Sequence, residues 1–216
     1  MKQINEILRD NYLAKDWACL ALLFSFVCFI ISPIIYFGIP NGFDLPQHFQ
    51  FTFTYYESIK SGNFLPGWSA FENYGYGGIG IRIYPPLAHN LLALTQLLTN
   101  DWFTSSWINF LFWMALGSLG SYWFAREWLT PINSLWVGIL YSVAPYHLSQ
   151  LYQAFLYSEF AAAGILPFCF LFVTRICQKN KLKDALLLGL FLSLLILSHI
   201  PTTIIGVITL GLYTLI

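Results

Sequence analysis

The sequence has very little charge and no excess of either sign. Only 9% of its 216 residues are charged, 57% are hydrophobic, and ten basic side chains balance ten acidic ones. Soluble domains carry about 25% charged residues, so a water-soluble fold cannot hide this much apolar surface, whereas a bilayer can. Because there is no basic field, the sequence gives no reason to expect a nucleic-acid partner.

Cysteine is also scarce, and its placement excludes a paired motif. Cys19, Cys28, Cys169 and Cys177 lie in or beside apolar runs, and none forms a CxxC pair. We therefore expect buried structural thiols, which say little about the redox compartment. Aromatic residues are abundant instead, at 19% with eight Trp. Many stand at the ends of apolar runs, the level at which amphipathic rings meet lipid headgroups.

Long apolar runs divide the chain. A polar stretch over residues 1–16 precedes an uncharged run over 17–39, in which Pro33 predicts a kink. A spanning helix needs roughly 20 apolar residues, and the core of a signal peptide is shorter, so we expect a first transmembrane helix that stays in place. Residues 40–86 break the pattern with Gly, Pro, Asn and Tyr. The later apolar runs cover 86–99, 102–124, 132–148, 160–176, 185–197 and 202–216.

These runs predict an all-α, polytopic transmembrane bundle of five to seven helices. Residues 17–39 supply the first helix and 87–216 the others, while the 40–86 segment forms a polar, aromatic loop that bears short interfacial helices. The last run reaches residue 216 without a charged or aromatic anchor. We therefore expect the front part of a longer protein, with a short terminal helix as the alternative.

The basic residues predict the orientation, because they accumulate on the cytoplasmic side. Eight of the ten lie in the N-terminus, the 124–131 turn and the region around 175–183, whereas Lys60 and Arg82 lie in the 40–86 loop. We therefore place 1–16 in the cytoplasm and the loop outside the plasma (inner) membrane. This orientation requires 86–99 to lie along or dip into the membrane. If that segment crosses, one of the next two runs is a half-helix.

The outer loop opens with two titratable residues. Asp44 and His48 are four apart and share a face if the segment is helical. The alternation over 49–54 also fits a strand, but Asp44 followed by Pro46 favours a helix start. Asp44 is then either a simple helix cap, with His48 at the interface, or both belong to a site, since ionisable groups at membrane depth are costly.

Four further features leave alternatives open. Gly75, Gly77 and Gly80 spell GxGxxG, but a dinucleotide site needs a preceding strand and a following helix, so a tight turn is the better interpretation. Arg82 either donates to a lipid phosphate or extends to the headgroups. Glu159 begins an apolar run, where it either favours a helix N-terminus or faces a cavity shared with Asp44. His199 ends another run, where an interfacial position is the alternative.

In order and spacing, these motifs resemble the large integral-membrane glycosyltransferases of the GT-C fold. The resemblance rests on Gly-Phe-Asp ending at Asp44 with His48 four residues on, on Ser-Gly-Asn-Phe-Leu-Pro-Gly-Trp ending at Trp68, and on Tyr-Pro-Pro-Leu beginning at Tyr84. More narrowly, the chain resembles the bacterial membrane family named pyruvoyl-tetrahydropterin-synthase-related, from about residue 17 onward. That name implies a zinc enzymology, for which the sequence offers no clustered histidines.

The resemblance implies a transferase that takes a sugar from a polyprenyl-phosphate-linked donor in the membrane lipid. It implies Asp44 as the base for an acceptor hydroxyl, or as the ligand of a divalent metal ion, and Glu159 as a second catalytic carboxylate. The substrate-binding residues predicted with them are His48, Arg82, Tyr84, Trp68 and His199. The alternatives are a non-catalytic component that binds or transports a lipid-linked glycan, and an inactive fragment. The sequence leaves the sugar, the acceptor and the oligomeric state open.

Overall fold

The computed structural model describes the backbone of residues 2–215 and the side chains of residues 14–215. Within that part of the chain every regular element is helical, and the sole β-type pairing is an isolated antiparallel bridge between Ser69 and Gly78. The all-α prediction is therefore confirmed. The α-helices are α1 Lys2–Phe37, α2 Leu45–Lys60, α3 Gly80–Ile83, α4 Leu87–Thr99, α5 Trp102–Ala125, α6 Pro131–Ser142, α7 Pro145–Tyr152, α8 Tyr157–Lys179, α9 Leu182–Ile196 and α10 Ile200–Tyr213.

Two of the described helices are long and apolar enough to cross a membrane, namely the Ala14–Phe37 part of α1 and the whole of α8. This number is below the five to seven that the apolar runs predict. The polar Ser, Thr and Asn residues of α5 dilute its apolar character, and the 132–148 run is divided by the break at Pro145. Helices α4, α9 and α10 have 13, 15 and 14 residues, which gives lengths of about 20 Å against a hydrocarbon core of about 30 Å.

Helices α5 and α8 form the centre of the bundle, and their close approach depends on small residues. Ala161 and Ala162 are fully buried in the main core. A Cβ atom added at Gly164 would lie 2.7 Å from the carbonyl oxygen of Trp113. The two backbones are therefore in direct contact, as is common where membrane helices pack through small side chains.

Pro167 interrupts the hydrogen bonding of α8. Since proline has no N–H group, the carbonyl of Ala163 loses its partner within the helix. The hydroxyl of Tyr141, on α6, donates to that carbonyl oxygen at 2.6 Å. A side chain of the neighbouring helix thus satisfies the acceptor that Pro167 leaves free.

Two sets of ion pairs join the helices at the end of the bundle predicted to be cytoplasmic. Asp16 of α1 accepts from Arg126, with an Nε–Oδ1 distance of 2.7 Å, and from the hydroxyl of Tyr122. Glu127 accepts from Arg175 at 2.7 Å and from Lys179 at 2.8 Å. These ion pairs hold the C-terminal end of α5 against α1 and α8.

The predicted helix start in the outer loop is confirmed, and the strand interpretation of 49–54 is wrong. Helix α2 begins at Leu45 with Asp44 at its N-cap position and Pro46 in its first turn. It packs against α4, and both pack around buried aromatic residues such as Phe51 and Tyr55. The faces of α2 and α4 that meet in this layer carry the histidines described below.

Candidate functional site

Asp44 is positioned by its main chain. Its N–H group donates to the carbonyl of Ala154 at 3.0 Å. The preceding Gly42 lies against Phe155, so that a Cβ atom at residue 42 would be 2.5 Å from the Cβ of Phe155. Although Asp44 occupies the N-cap position, its half-buried side chain makes no capping hydrogen bond. The carboxylate is therefore available to another partner. A simple helix cap would use its carboxylate to accept from an N–H group of the first turn, and Asp44 does not.

His48 lies one turn further along α2 and is only 3% exposed. Its ring stacks on that of His89, with centroids 5.3 Å apart and an interplanar angle of 25°. Its Nε2 accepts from the main-chain N–H of Tyr157 at 3.3 Å, and its buried Nδ1 has no partner within residues 14–215. Burial, with a smaller contribution from His199, lowers the pKa of His48 to about 4.

His89 links α4 to α2 and α8. It is fully buried, with Nδ1 3.0 Å from the Thr52 hydroxyl and Nε2 3.2 Å from the Ser158 hydroxyl. Thr52 donates its proton to the carbonyl of His48, so it accepts from Nδ1–H, and Ser158 donates to Nε2. Burial, and then the neighbouring His48, keeps the pKa of His89 well below its usual value. The ring is thus a neutral connector with a defined tautomer.

Tyr84 lies against His48. Its half-buried ring meets that of His48 edge to face, with centroids 5.8 Å apart. Burial raises the pKa of Tyr84; the nearby Ser158 hydroxyl opposes this increase, and the charges of Asp44 and Glu159 add to it. Both carboxylates are therefore within electrostatic reach of one phenol, although they are 115 positions apart in the sequence (159 minus 44).

Glu159 and His199 occupy neighbouring helix starts. Glu159, in the first turn of α8, accepts a hydrogen bond from the hydroxyl of Tyr146. His199 caps the N-terminus of α10, and its Nδ1 accepts from the main-chain N–H of Thr202 at 3.4 Å. Both residues line the same cavity.

That cavity has a volume of about 510 Å³ and is amphiphilic. Its length follows α8 from Glu159 to Phe170, a separation of eleven helical steps or about 16 Å. Along this length the walls are mostly apolar side chains of α5, α8 and α10. The polar end is formed by Tyr141, Tyr146, His147, Glu159 and His199.

Two of the predicted site residues pack elsewhere, within the outer loop. The guanidinium of the exposed Arg82 lies on Gly67, with Nε 3.0 Å from where a Cβ would stand. Trp68 is 56% exposed and covers Gly77, whose φ of +83° requires a glycine. The structure thus places Glu159 and His199 on the wall of one cavity and His48 against Tyr84, with Asp44 at the start of α2, while Arg82 and Trp68 pack within the loop.

The sequence-derived set omits several polar residues that contact the predicted ones. His89 and Ser158 connect Tyr84 to α2, and Tyr146 binds Glu159. A signal for Ser158 was its position directly before Glu159. For His89, the sequence offered only its nearness to the Pro85-Pro86 pair as a signal. No local pattern predicts that α4 brings the ring of His89 against His48.

We expect the folded protein to lose stability as the pH falls from 6.5 towards 4. The pKa of His48 is about 4 when folded and 6.5 when exposed, so the unfolded chain binds the proton first. Between pH values above 6.5 and below 4, this difference in pKa lowers the free energy of unfolding by about 3 kcal/mol. The lowered pKa of His89 also makes the folded protein less stable as the pH falls. Unfolding curves between pH 4 and 8 should show this slope, and His48→Gln should reduce it. An equally steep slope in the variant would contradict the assignment.

The helices and the cavity lining define a membrane protein with a polar site at one end of an apolar cavity. The chain belongs to the family described as 6-pyruvoyl-tetrahydropterin synthase related domain, a membrane protein, whose family model matches residues 81–216, more than half of the chain. Searches of curated proteins and of solved structures found no match.

The described side chains do not form a multi-ligand metal centre. No group of three or more His, Cys, Asp or Glu within residues 14–215 is arranged to hold a metal ion. His48 and His89 are stacked, but their ring nitrogens face Tyr157, Thr52 and Ser158. We therefore derive no metal-dependent step for either Asp44 or the histidines.

Proposed function

We propose that this chain is a GT-C-like membrane glycosyltransferase, or the N-terminal part of one. It would transfer a sugar from a polyprenyl-phosphate-linked donor to an acceptor on the extracytoplasmic face of the plasma (inner) membrane. The observation that carries the proposal is the amphiphilic cavity, about 16 Å of apolar wall ending at Glu159 and His199. An isoprenoid chain fits the apolar part, and the linked sugar then lies at the polar end.

The candidate site supplies groups of the kind that this reaction needs. Asp44 has a carboxylate without a capping bond, suited to accept the proton of an acceptor hydroxyl during attack on the sugar. The Tyr146 hydroxyl holds Glu159 in place at the cavity. The charges of both carboxylates contribute to the raised pKa of Tyr84.

The orientation and the finer topology belong to the same proposal. With α1 and α8 as the longest apolar spans, we propose five to seven crossings in all and an extracytoplasmic 40–86 loop. The ion pairs of Asp16 and Glu127 then lie on the cytoplasmic side, which agrees with the distribution of basic residues. Asp44, Glu159 and His199 lie on the outer side, where lipid-linked sugars are used.

One observation favours a second candidate, a carrier that binds a lipid-linked glycan without cleaving it. The guanidinium of Arg82 packs on Gly67. The ion pairs formed within residues 14–215 include neither Asp44 nor Glu159. A departing phosphate is usually stabilised by cations or strong donors. A site without a permanent cation can bind such a ligand and leave its glycosidic bond intact.

The test uses the full chain in nanodiscs with farnesyl phosphate linked to radiolabelled glucose or mannose. Native mass spectrometry measures binding, and release of farnesyl phosphate measures cleavage of the sugar–phosphate bond, in which water takes the place of the acceptor hydroxyl. Gly206 lines the cavity near Leu166 and Gly211 faces open space on the same helix. We therefore expect Gly206→Trp to reduce binding at least tenfold and Gly211→Trp to leave it unchanged. Binding without release would favour the carrier, and no binding by the unaltered protein would overturn both proposals.

A further inference from the structure

Among the described residues, Glu159 is the one acidic side chain on the wall of the cavity that follows α8. It accepts from the Tyr146 hydroxyl, whereas a carboxylate can accept about four hydrogen bonds. It takes part in none of the ion pairs formed within residues 14–215. The carboxylate therefore has free acceptor capacity and a charge that the described side chains do not neutralise.

The two histidines on the same wall do not supply a positive charge. Burial lowers the pKa of His199. Burial also lowers the pKa of His147, although a hydrogen bond with Gln150 opposes this decrease. Because the usual pKa of histidine is about 6.5, both imidazoles are neutral at pH 7. The polar end of the cavity thus carries the negative charge of Glu159.

Aromatic rings continue the cavity wall away from the carboxylate. Tyr146, whose hydroxyl binds Glu159, has its ring centroid 5.7 Å from that of His147. The centroid of the His147 ring is in turn 4.2 Å from that of Tyr141, and all four residues line the cavity. The carboxylate and the two phenols therefore belong to one continuous surface.

This combination of groups suits a cation on the ligand. An uncompensated charge is costly in an apolar environment, and opposite charges attract more strongly there than in water. The faces of aromatic rings also attract ammonium groups. An anionic group would be repelled by Glu159, and a neutral hydroxyl would leave the charge of the carboxylate uncompensated.

We infer that Glu159 binds the ammonium group of an amphiphile, whose apolar chain lies along α8 and whose head group packs on Tyr141 and Tyr146. The inference deepens the proposed function, on which it rests for a lipid-linked sugar as the ligand, and that sugar is then an amino sugar. The ethanolamine head group of a bilayer phospholipid carries the same ammonium group. Binding of defined lipids distinguishes these two sources.

Three probes with the same eight-carbon chain test the charge preference, namely octylammonium, octanol and octyl phosphate. Their binding to the full chain in phosphatidylcholine nanodiscs is measured by calorimetry, with empty nanodiscs as the reference. We expect octylammonium to bind at least tenfold more tightly than octanol, and octyl phosphate to bind more weakly than both. Equally tight binding of octanol would identify a purely apolar cavity and overturn the inference, as would tighter binding of octyl phosphate.

A pair of charge-removing variants tests the carboxylate itself. Glu159→Gln keeps the size of the side chain and should weaken octylammonium binding at least tenfold, while octanol binding within threefold shows that the cavity is intact. Glu57→Gln is the control, because Glu57 lies on α2 outside the cavity wall and pairs with Lys60 at 3.2 Å. It removes the same charge and should leave octylammonium binding unchanged. Equal losses in both variants would contradict a site at Glu159.

Displacement of octylammonium identifies the source of the natural ammonium group. The competitors are farnesyl phosphate linked to glucosamine, the same lipid linked to glucose, and phosphatidylethanolamine. Stronger displacement by the glucosamine lipid than by the glucose lipid would support an amino-sugar donor. Displacement by phosphatidylethanolamine alone would support the ammonium site and assign it to a bilayer lipid. If neither amine-bearing lipid displaced octylammonium, the inference would fail.

The ammonium site and the proposed function stand or fall on different results. A preference for octylammonium, without cleavage of any farnesyl-linked sugar, would contradict the transferase proposal alone. Cleavage of the glucose lipid by a protein that shows no preference for octylammonium would contradict the ammonium site alone.

Discussion

Replacing Asp44 with Asn should reduce sugar transfer by about 10²–10⁴-fold, the usual contribution of a positioned general base. The amide has nearly the same shape as the carboxylate but cannot accept the proton of an acceptor hydroxyl. Because the Asp44 side chain makes no capping bond to α2, its loss should leave the fold and the membrane insertion intact. Release of farnesyl phosphate by the variant in nanodiscs, relative to the unaltered protein, measures the effect.

A second N-cap aspartate provides the matched control. Asp101 precedes α5 and its exposed carboxylate accepts from the N–H of Thr104 at 2.8 Å. Asn is an equally good cap, so Asp101→Asn should retain both stability and transfer. If Asp44→Asn transferred sugar at the unaltered rate, the base would have to be another group and the assignment of Asp44 would fail.

Replacing Gly164 with Leu should unfold or strongly destabilise the bundle. A Cβ atom at residue 164 would be 2.7 Å from the carbonyl oxygen of Trp113, and backbone atoms of α5 cannot move aside as a side-chain tip can. Overpacking of this kind costs about 1–3 kcal/mol or more, which corresponds to a decrease of about 6–12 °C in Tm at the upper figure for a chain of this size. Scanning fluorimetry in detergent measures Tm.

Gly189→Leu is the control for helix propensity and added apolar surface. Nothing lies within 4 Å of a Cβ at Gly189, and leucine is favoured over glycine inside a helix by nearly 1 kcal/mol. We expect its Tm to be unchanged or slightly higher. Similar losses of Tm in the two variants would show that the contact between α5 and α8 is not what makes residue 164 sensitive.

The sequence predicted the elements whose signals are local. Asp44 followed by Pro46 marked the start of α2, and the scarcity of charge marked the helical membrane class. The number of spans was harder to predict, since hydropathy runs do not show where Pro145 would divide one helix into α6 and α7. Helix α4 is a 13-residue helix packed on α2 and α5, and its position relative to the membrane stays a prediction.

The candidate site was predictable by residue type and only partly by partner. Asp44, Glu159 and His199 stood out as titratable groups in an apolar sequence, and the structure brings Glu159 and His199 to one cavity, whereas Asp44 lies at the start of α2. Arg82 stood out equally, yet a contact with Gly67 directs it elsewhere, and its phosphate-binding role stays a prediction. The stack of His48 on His89 depends on how two distant helices pack, for which a single sequence carries no signal.

The bond between Tyr141 and the carbonyl of Ala163 has a consequence for how the sequence can change over time. A residue with an N–H group in place of Pro167 would restore the helical bond, and the carbonyl of Ala163, which can accept two hydrogen bonds, would no longer depend on the phenol. Phe in place of Tyr141 would leave the carbonyl bare beside an apolar ligand. Loss of the tyrosine is therefore penalised only while the proline is present, and among descendants of this sequence a change at Tyr141 should follow a change at Pro167.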